Sequence, residues 1–212
     1  MIGRPDVIEY HGSADEIQGK PASRRLTKWV NARAMHRLFV ALRPPPAIRD
    51  RLTDLMDGVE GARWQGDDQL HITLRYIGEV DRRTAEDVAT ALSAIRFDLP
   101  PLRLDGCGTF DTKGRPNALW AGVAPRDALA TLHKKIDRAM IRIGLEPEHR
   151  AYVPHITLAR LAGSAGPVDG FLARHAALTS PEFTVDHMAL YESRLGHGGA
   201  SYEPVERYAL TA

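Results

Sequence analysis

The sequence predicts an α+β fold with mainly antiparallel sheet. Three observations lead there. Short runs rich in β-branched and aromatic residues come in hairpin-like pairs, and longer runs carry apolar residues at helical spacing. The two kinds do not follow the regular strand–helix alternation of a doubly wound sheet. At 212 residues, with 43% hydrophobic and 26% charged side chains, the chain can build one core without disulfides or a structural metal.

The first strand is read over residues 36–42 and stops at Pro44-Pro45-Pro46. Proline is tolerated in a helix's first turn, so Ile48, Leu52, Leu55, Met56 and Val59 predict a helix behind it. A strand is expected at 70–77, then a helix at 84–96 with Val88, Leu92 and Ile95 inward. Strands at 102–110 and 118–123 flank a turn at 111–116. Asp127 is expected to cap a helix that buries Leu129, Leu132, Ile136, Met140 and Ile143 and ends at Gly144. A strand at 153–161, a short helix at 168–175, and strands at 183–192 and 202–210 around Gly196, Gly198 and Gly199 complete the reading. Residues 1–34 have weak periodicity and several turn-formers. They are read as an extension outside the domain or an arm docked on it, the domain itself covering 35–212.

Composition excludes several classes of function. Cys107 is the only cysteine, so neither an intrachain disulfide nor a multi-cysteine metal cluster can form, and a reducing, cytoplasmic setting is expected. No run approaches the roughly 18 apolar residues that span a bilayer, and residues 1–34 lack the apolar segment of a signal peptide. No membrane partner is expected, and a monomer is. The 28 basic and 27 acidic residues leave a net charge of +1. A body this close to neutral argues against broad duplex binding, which needs many Lys and Arg contacts to phosphate, and favours a local cleft for a short end.

His-Ile-Thr-Leu occurs twice, at 71–74 and 155–158. In a strand, alternation sends His and Thr to one face and Ile and Leu to the other. Two such strands brought together would present two imidazoles and two hydroxyls to one pocket. A neutral histidine can take a proton from water and a protonated one can give a proton to a leaving oxygen. Threonine hydroxyls can donate to the oxygens of a phosphoryl group. This set suits hydrolysis of a cyclic phosphodiester, whose leaving oxygen sits on a neighbouring carbon, so neither metal nor cofactor is required. The competing reading is two strand histidines satisfied by backbone partners beside β-favoured threonines. No His-Glu-x-x-His or cysteine pairing suggests a metal site.

Around the repeats stand Arg37-Leu38-Phe39-Val40-Ala41-Leu42, Arg63-Trp64, Gly114-Arg115-Pro116, Leu119-Trp120 and Leu190-Tyr191-Glu192-Ser193. The repeats extend to Leu70-His71-Ile72-Thr73-Leu74-Arg75-Tyr76-Ile77-Gly78-Glu79-Val80 and Tyr152-Val153-Pro154-His155-Ile156-Thr157-Leu158-Ala159-Arg160. With these, residues 35–210 resemble the bacterial and archaeal RNA 2′,3′-cyclic phosphodiesterases, formerly called 2′-5′ RNA ligases, of the 2H phosphoesterase superfamily. The resemblance implies two pseudo-symmetric lobes around a central cleft with one motif in each. It implies hydrolysis of RNA 3′ ends carrying a 2′,3′-cyclic phosphate to 2′-phosphate ends, with His71 as proton donor and His155 as acceptor. Thr73 and Thr157 would hold the phosphate.

Arg160 matches the family's basic residue after the second motif. It lies five residues past His155, so simple alternation turns it away unless a bulge or strand end intervenes. Arg75 has the right parity and is the competing candidate. Phe39 and Tyr152 match aromatic positions that could stack on the terminal base, core packing being the alternative for both. Trp64 and Trp120 are assigned to the core, and Lys113 and Arg115 to a turn, as solvated charges with contact to the RNA backbone as the alternative. The same pocket could run the reverse reaction, 2′-5′ ligation, or bind an RNA end without turnover.

Overall fold

The computed structural model describes residues 35–196 and 199–210. The extension read over 1–34 lies outside the described residues.

The strands are β1 (His36–Leu42), β2 (Ala62–Trp64), β3 (Ile72–Val80), β4 (Arg103–Thr112), β5 (Arg115–Ala124), β6 (His155–Leu161), β7 (His187–Gly196) and β8 (Gly199–Ala209). The helices are α1 (Pro46–Thr53), α2 (Arg82–Ser93), α3 (Arg126–Arg142) and α4 (Asp169–His175). All eight strands join one sheet in the order β4-β5-β6-β3-β1-β7-β8, with β2 added on β6. Every named pairing is antiparallel. The predicted fold class holds.

The order is palindromic in a repeat of strand–helix–strand–helix–strand. The first unit is β1-α1-β3-α2-β4 and the second is β5-α3-β6-α4-β7. Each unit's third strand crosses to the first strand of the other unit, β4 onto β5 and β7 onto β1. The two motif strands therefore become neighbours at the centre. They touch in register at one position, Ile72 opposite Ile156, the same residue of the tetrapeptide in each half. A pseudo-twofold axis passes between these two isoleucines, and both are fully buried.

One face of the sheet is covered by α2, which buries Ala85, Val88, Ala89 and Leu92, and α3, which buries Leu129, Leu132, Ile136 and Met140. Both arise from apolar residues at helical spacing. The Asp81 side chain caps α2 by accepting from the Thr84 N–H at 2.8 Å.

Several boundaries differ from the sequence reading. Helix α1 stops at Thr53, after which Leu55 and Met56 close tighter three-residue turns, so only Ile48 and Leu52 lie on its buried face. Pro125, not Asp127, precedes the first turn of α3, and Asp127 sits within that turn, where its charge suits the helix dipole. The hairpin β4–β5 turns on Lys113 and Gly114 alone, both at positive φ (54° and 74°), as a two-residue hairpin turn requires. Strand β2 was not foreseen, because three residues show no period. No helix among the described residues is long and apolar enough to cross a membrane.

Candidate active site

The strands β3 and β6 diverge on both sides of the Ile72–Ile156 pair, and His71, Thr73, His155 and Thr157 line one pocket there. The pocket, of about 300 Å³, also takes in Arg37, Phe39, Gln65, Tyr76, Arg160, Ser193, Ala200 and Tyr202. Alternation within each tetrapeptide works as expected: Ile72, Leu74, Ile156 and Leu158 are buried while the His and Thr side chains are partly exposed.

The two imidazoles are fixed in the same way. His71 Nδ1–H donates to the Gln69 carbonyl at 2.6 Å, and His155 Nδ1–H donates to the Val153 carbonyl at 2.7 Å. In each case the acceptor lies two residues upstream. The backbone thereby selects one tautomer, in which a neutral ring offers the Nε2 lone pair and a protonated ring offers Nε2–H. Aromatic rings hold each imidazole from the sides. Phe39 and Tyr202 lie 5.0 and 5.1 Å from the His71 ring, and Phe110 and Trp120 lie 4.7 and 6.3 Å from that of His155. Trp120, expected in the core, thus packs on the His155 ring without lining the pocket. It lies flat over Gly108, where an added Cβ would come within 2.4 Å of the indole. Trp64 packs on Phe171 of α4, at 5.8 Å between ring centres.

Burial and nearby positive charge push both histidines toward the neutral form. Desolvation is the main cause of the lowered His71 pKa, about 4, with His155, Arg160 and Arg43 adding repulsion against the bond to Gln69. His155 is lowered by burial and by Arg160, against its bond to Val153. An anionic ligand in the pocket acts in the opposite direction and favours the imidazolium.

Beyond the tetrapeptides strict alternation fails, at the same place in each half. Ala41 pairs with Thr73 but Val40 pairs with Arg75, so Leu74 is an extra, bulged residue. Trp120 pairs with Thr157 but Leu119 pairs with Ala159, so Leu158 is the matching bulge. Each freed carbonyl finds another donor, His133 Nδ1 at 2.6 Å for Leu74 and the Gln65 N–H at 2.8 Å for Leu158. The bulges turn the fifth residue after each histidine into the pocket, which is Tyr76 in the first half and Arg160 in the second.

Arg160 therefore faces the site by the bulge that its spacing demanded. Arg75 is absent from the lining of this pocket and reaches only the wall of the larger cavity beside it. Opposite Val40 it turns toward α3, only 8% exposed, where Nε pairs with Asp137 at 2.8 Å and Nη1 with Glu148 at 3.5 Å. Its remaining donors go to the Tyr76 and Glu146 carbonyls. Its guanidinium is committed to the framework.

The aromatic expectations shift as well. Phe39 is 5% exposed, stacked on Tyr191 at 5.2 Å and met edge-on by Tyr202, so it supports His71 and shows the pocket only a small part of its ring. Tyr152 lies flat on His133 at 4.3 Å with its phenol pKa raised by burial. Tyr76, which the sequence reading passed over, is the open aromatic surface, at 51% exposure. It lies between the pocket and a second cavity of about 620 Å³ that also has Thr73, Arg75, Phe110, Asn117, Tyr152, His155 and Arg160 in its walls. Lys113 and Arg115 line neither space. Among the described residues no three His, Cys, Asp or Glu side chains converge as metal ligands.

A family model described as the 2′-5′ RNA ligase superfamily matches residues 37–197. The RNA 2′,3′-cyclic phosphodiesterase of Escherichia coli is 32% identical over 181 residues, 82% of this chain and 97% of that one. The protein of the same name from Aeropyrum pernix is 36% identical over 99 residues, 46% of this chain, so the match spans about half (56%) of that relative. The crystal structure of Escherichia coli LigT complexed with 3′-AMP superposes with a TM-score of 0.68 at 28% identity, covering 84% of this chain and all of that one. Palindromic sheet, paired motifs and family match together place the chain in the 2′-5′ RNA ligase superfamily.

Proposed function

We propose that this chain hydrolyses RNA 2′,3′-cyclic phosphate ends to 2′-phosphate ends, with His71 as general acid and His155 as general base. The carrying observation is the matched pair of imidazoles in one pocket, each with Nδ1–H tied to a carbonyl two residues upstream. The names of its relatives support the activity, and the relative crystallised with 3′-AMP supports a nucleotide ligand.

Water attacks phosphorus opposite the 3′ oxygen while His155 Nε2 takes its proton. The P–O3′ bond breaks and His71 Nε2–H protonates the departing oxygen, leaving a 2′-phosphate and a free 3′ hydroxyl. Thr73 and Thr157 donate to the non-bridging oxygens, and Arg160 adds positive charge where negative charge gathers. The lowered His71 pKa means that the substrate's own anion must favour the imidazolium, so binding takes up a proton. Tyr76 offers its open ring to the terminal base.

The test is direct: a short RNA with a 2′,3′-cyclic end should yield a 2′-phosphate end, at an undiminished rate in EDTA. Binding without product after long incubation would overturn the reading. The superfamily's name favours a second activity of the same pocket, sealing a cyclic end to a 5′ hydroxyl. Counting joined against opened products in one mixture separates the two, and opening should dominate because water is far more concentrated than a 5′ hydroxyl.

A further inference from the structure

Strand β2 places Arg63 directly opposite Arg160 on β6. Directly opposed residues of an antiparallel pair share a face, and like charges there oppose each other. Three arginines near the pocket have carboxylate partners, Arg37 with Glu79 and both Arg43 and Arg49 with Asp67. Among the described residues neither Arg63 nor Arg160 has one. Arg63, Arg160 and Asp68 all act on the phenol of Tyr202, the ring beside His71, yet Asp68 pairs with neither arginine. The arrangement is held from behind, since Trp64 turns to the other face, opposite Ala159, and packs on Phe171. Gln65, next on the Arg63 side of the strand, lines the pocket. Arg160 thus lines the pocket, and the unneutralised Arg63 stands opposite it on the same face of the sheet.

The ligand's connectivity says what such a pair could hold. A ribose bound by its 2′,3′ edge carries its base beside C2′ and its 5′ substituent beside C3′, so the two leave on opposite flanks. The open cavity beside Tyr76 is one flank, and the edge closed by β2 is the other. We propose that Arg63, acting with Arg160, binds the phosphate on the 5′ oxygen of the terminal nucleotide, so that the enzyme favours ends bearing that phosphate over cyclic nucleosides. The inference rests on the reading of the pocket as a site for cyclic RNA ends. Planar guanidiniums suit the group because they meet phosphate oxygens in pairs.

The test measures binding of uncleaved product ends by titration calorimetry. The ligands are a nucleoside 2′-phosphate, the corresponding 2′,5′-bisphosphate, and a dinucleotide ending in a 2′-phosphate. The wild type should bind the second and third about tenfold more tightly than the first. Arg63→Ala should remove that advantage and lower the slope of log affinity against log salt by about one, while Arg63→Lys keeps most of it. Arg63 is exposed, so both variants should melt like the wild type. A dinucleotide that binds tightly where the bisphosphate does not assigns the site to the RNA linkage; equal gains assign it to phosphate from either source. Equal affinity for all three ligands in the wild type, or an advantage that survives Arg63→Ala, overturns the proposal. Turnover of a cyclic-ended dinucleotide by the same preparation reports separately on the hydrolase reading. Turnover with equal binding sinks the arginine site alone, and discriminating binding without turnover sinks the hydrolase alone.

Discussion

The two halves of the molecule diverge from the Ile72–Ile156 pair by the same geometry and then use the resulting gaps differently. On the second motif's side, β2 fills the gap beside β6, and the fifth residue after the histidine is Arg160. On the first motif's side, the gap between β3 and residues 150–153 stays open as the larger cavity, and the fifth residue is Tyr76. The histidines, their carbonyl partners and the bulges keep the symmetry. Proton transfer needs two similar groups facing each other, whereas a nucleotide has a charged side and an aromatic side. On the proposed reading, duplicated structure serves the first need, and divergence at two positions and one short strand serves the second.

The symmetric part predicts the largest effects. His71→Ala and His155→Ala should each lose about 10²–10⁴ in kcat, roughly 3–5 kcal/mol of barrier. They should fail differently: the first loses the alkaline limb of the pH profile, set by the acid's proton, and the second the acidic limb. Because both imidazoles are lowered in the empty site, the wild-type kcat/KM should peak below about 6.5. The bound anion raises the acid's pKa, so the alkaline limb of kcat should lie at higher pH. Rates from about pH 4.5 to 8.5 check both, and a kcat/KM optimum well above neutrality would contradict the buried, neutral resting pair.

Arg75 tests whether the bulge assigns roles correctly. As a framework residue it should show its effect in stability. Arg75→Met strands Asp137 and Glu148 and should cost roughly 3 kcal/mol in denaturant unfolding, with KM little changed. A stable variant with a raised KM would return Arg75 to the site. Arg160→Ala should do the reverse, keeping the fold and losing about ten- to a hundredfold in kcat/KM, the worth of a charge-assisted hydrogen bond.

The contrast between these arginines marks how far the sequence could be read. Strand alternation is a local rule, and it put His71, Thr73, His155 and Thr157 on the pocket side. It failed one residue later, because a bulge depends on whether a displaced carbonyl finds a donor. Those donors, His133 on α3 and the Gln65 N–H, come from elsewhere in the chain. Tyr202 and Phe110 reach the imidazoles from hairpins far away in sequence, so no spacing could announce them. For Phe39 and Tyr152 the sequence left stacking on a base and core packing both open, and only the long-range partners Tyr191 and His133, which occupy ring faces that a base would need, decide between them.

Tyr76 gives the smallest and most discriminating effect. Its ring is half-exposed and stands where the pocket meets the larger cavity, at the position that the pseudo-twofold relates to Arg160. A stacked base is worth about 1–3 kcal/mol by alanine substitution, and at an open site the lower end applies. Tyr76→Ala should therefore raise KM by about five- to tenfold with kcat nearly unchanged, because stacking holds substrate and transition state alike. Tyr76→Phe should behave as the wild type, since the ring and not the hydroxyl supplies the contact. Kinetics on cyclic ends with a purine or a pyrimidine terminus carry the comparison further: the Tyr76→Ala penalty should be larger for the purine, which offers more surface to the ring. A kcat loss with KM intact would place Tyr76 with the histidines and make the division between the two halves untenable.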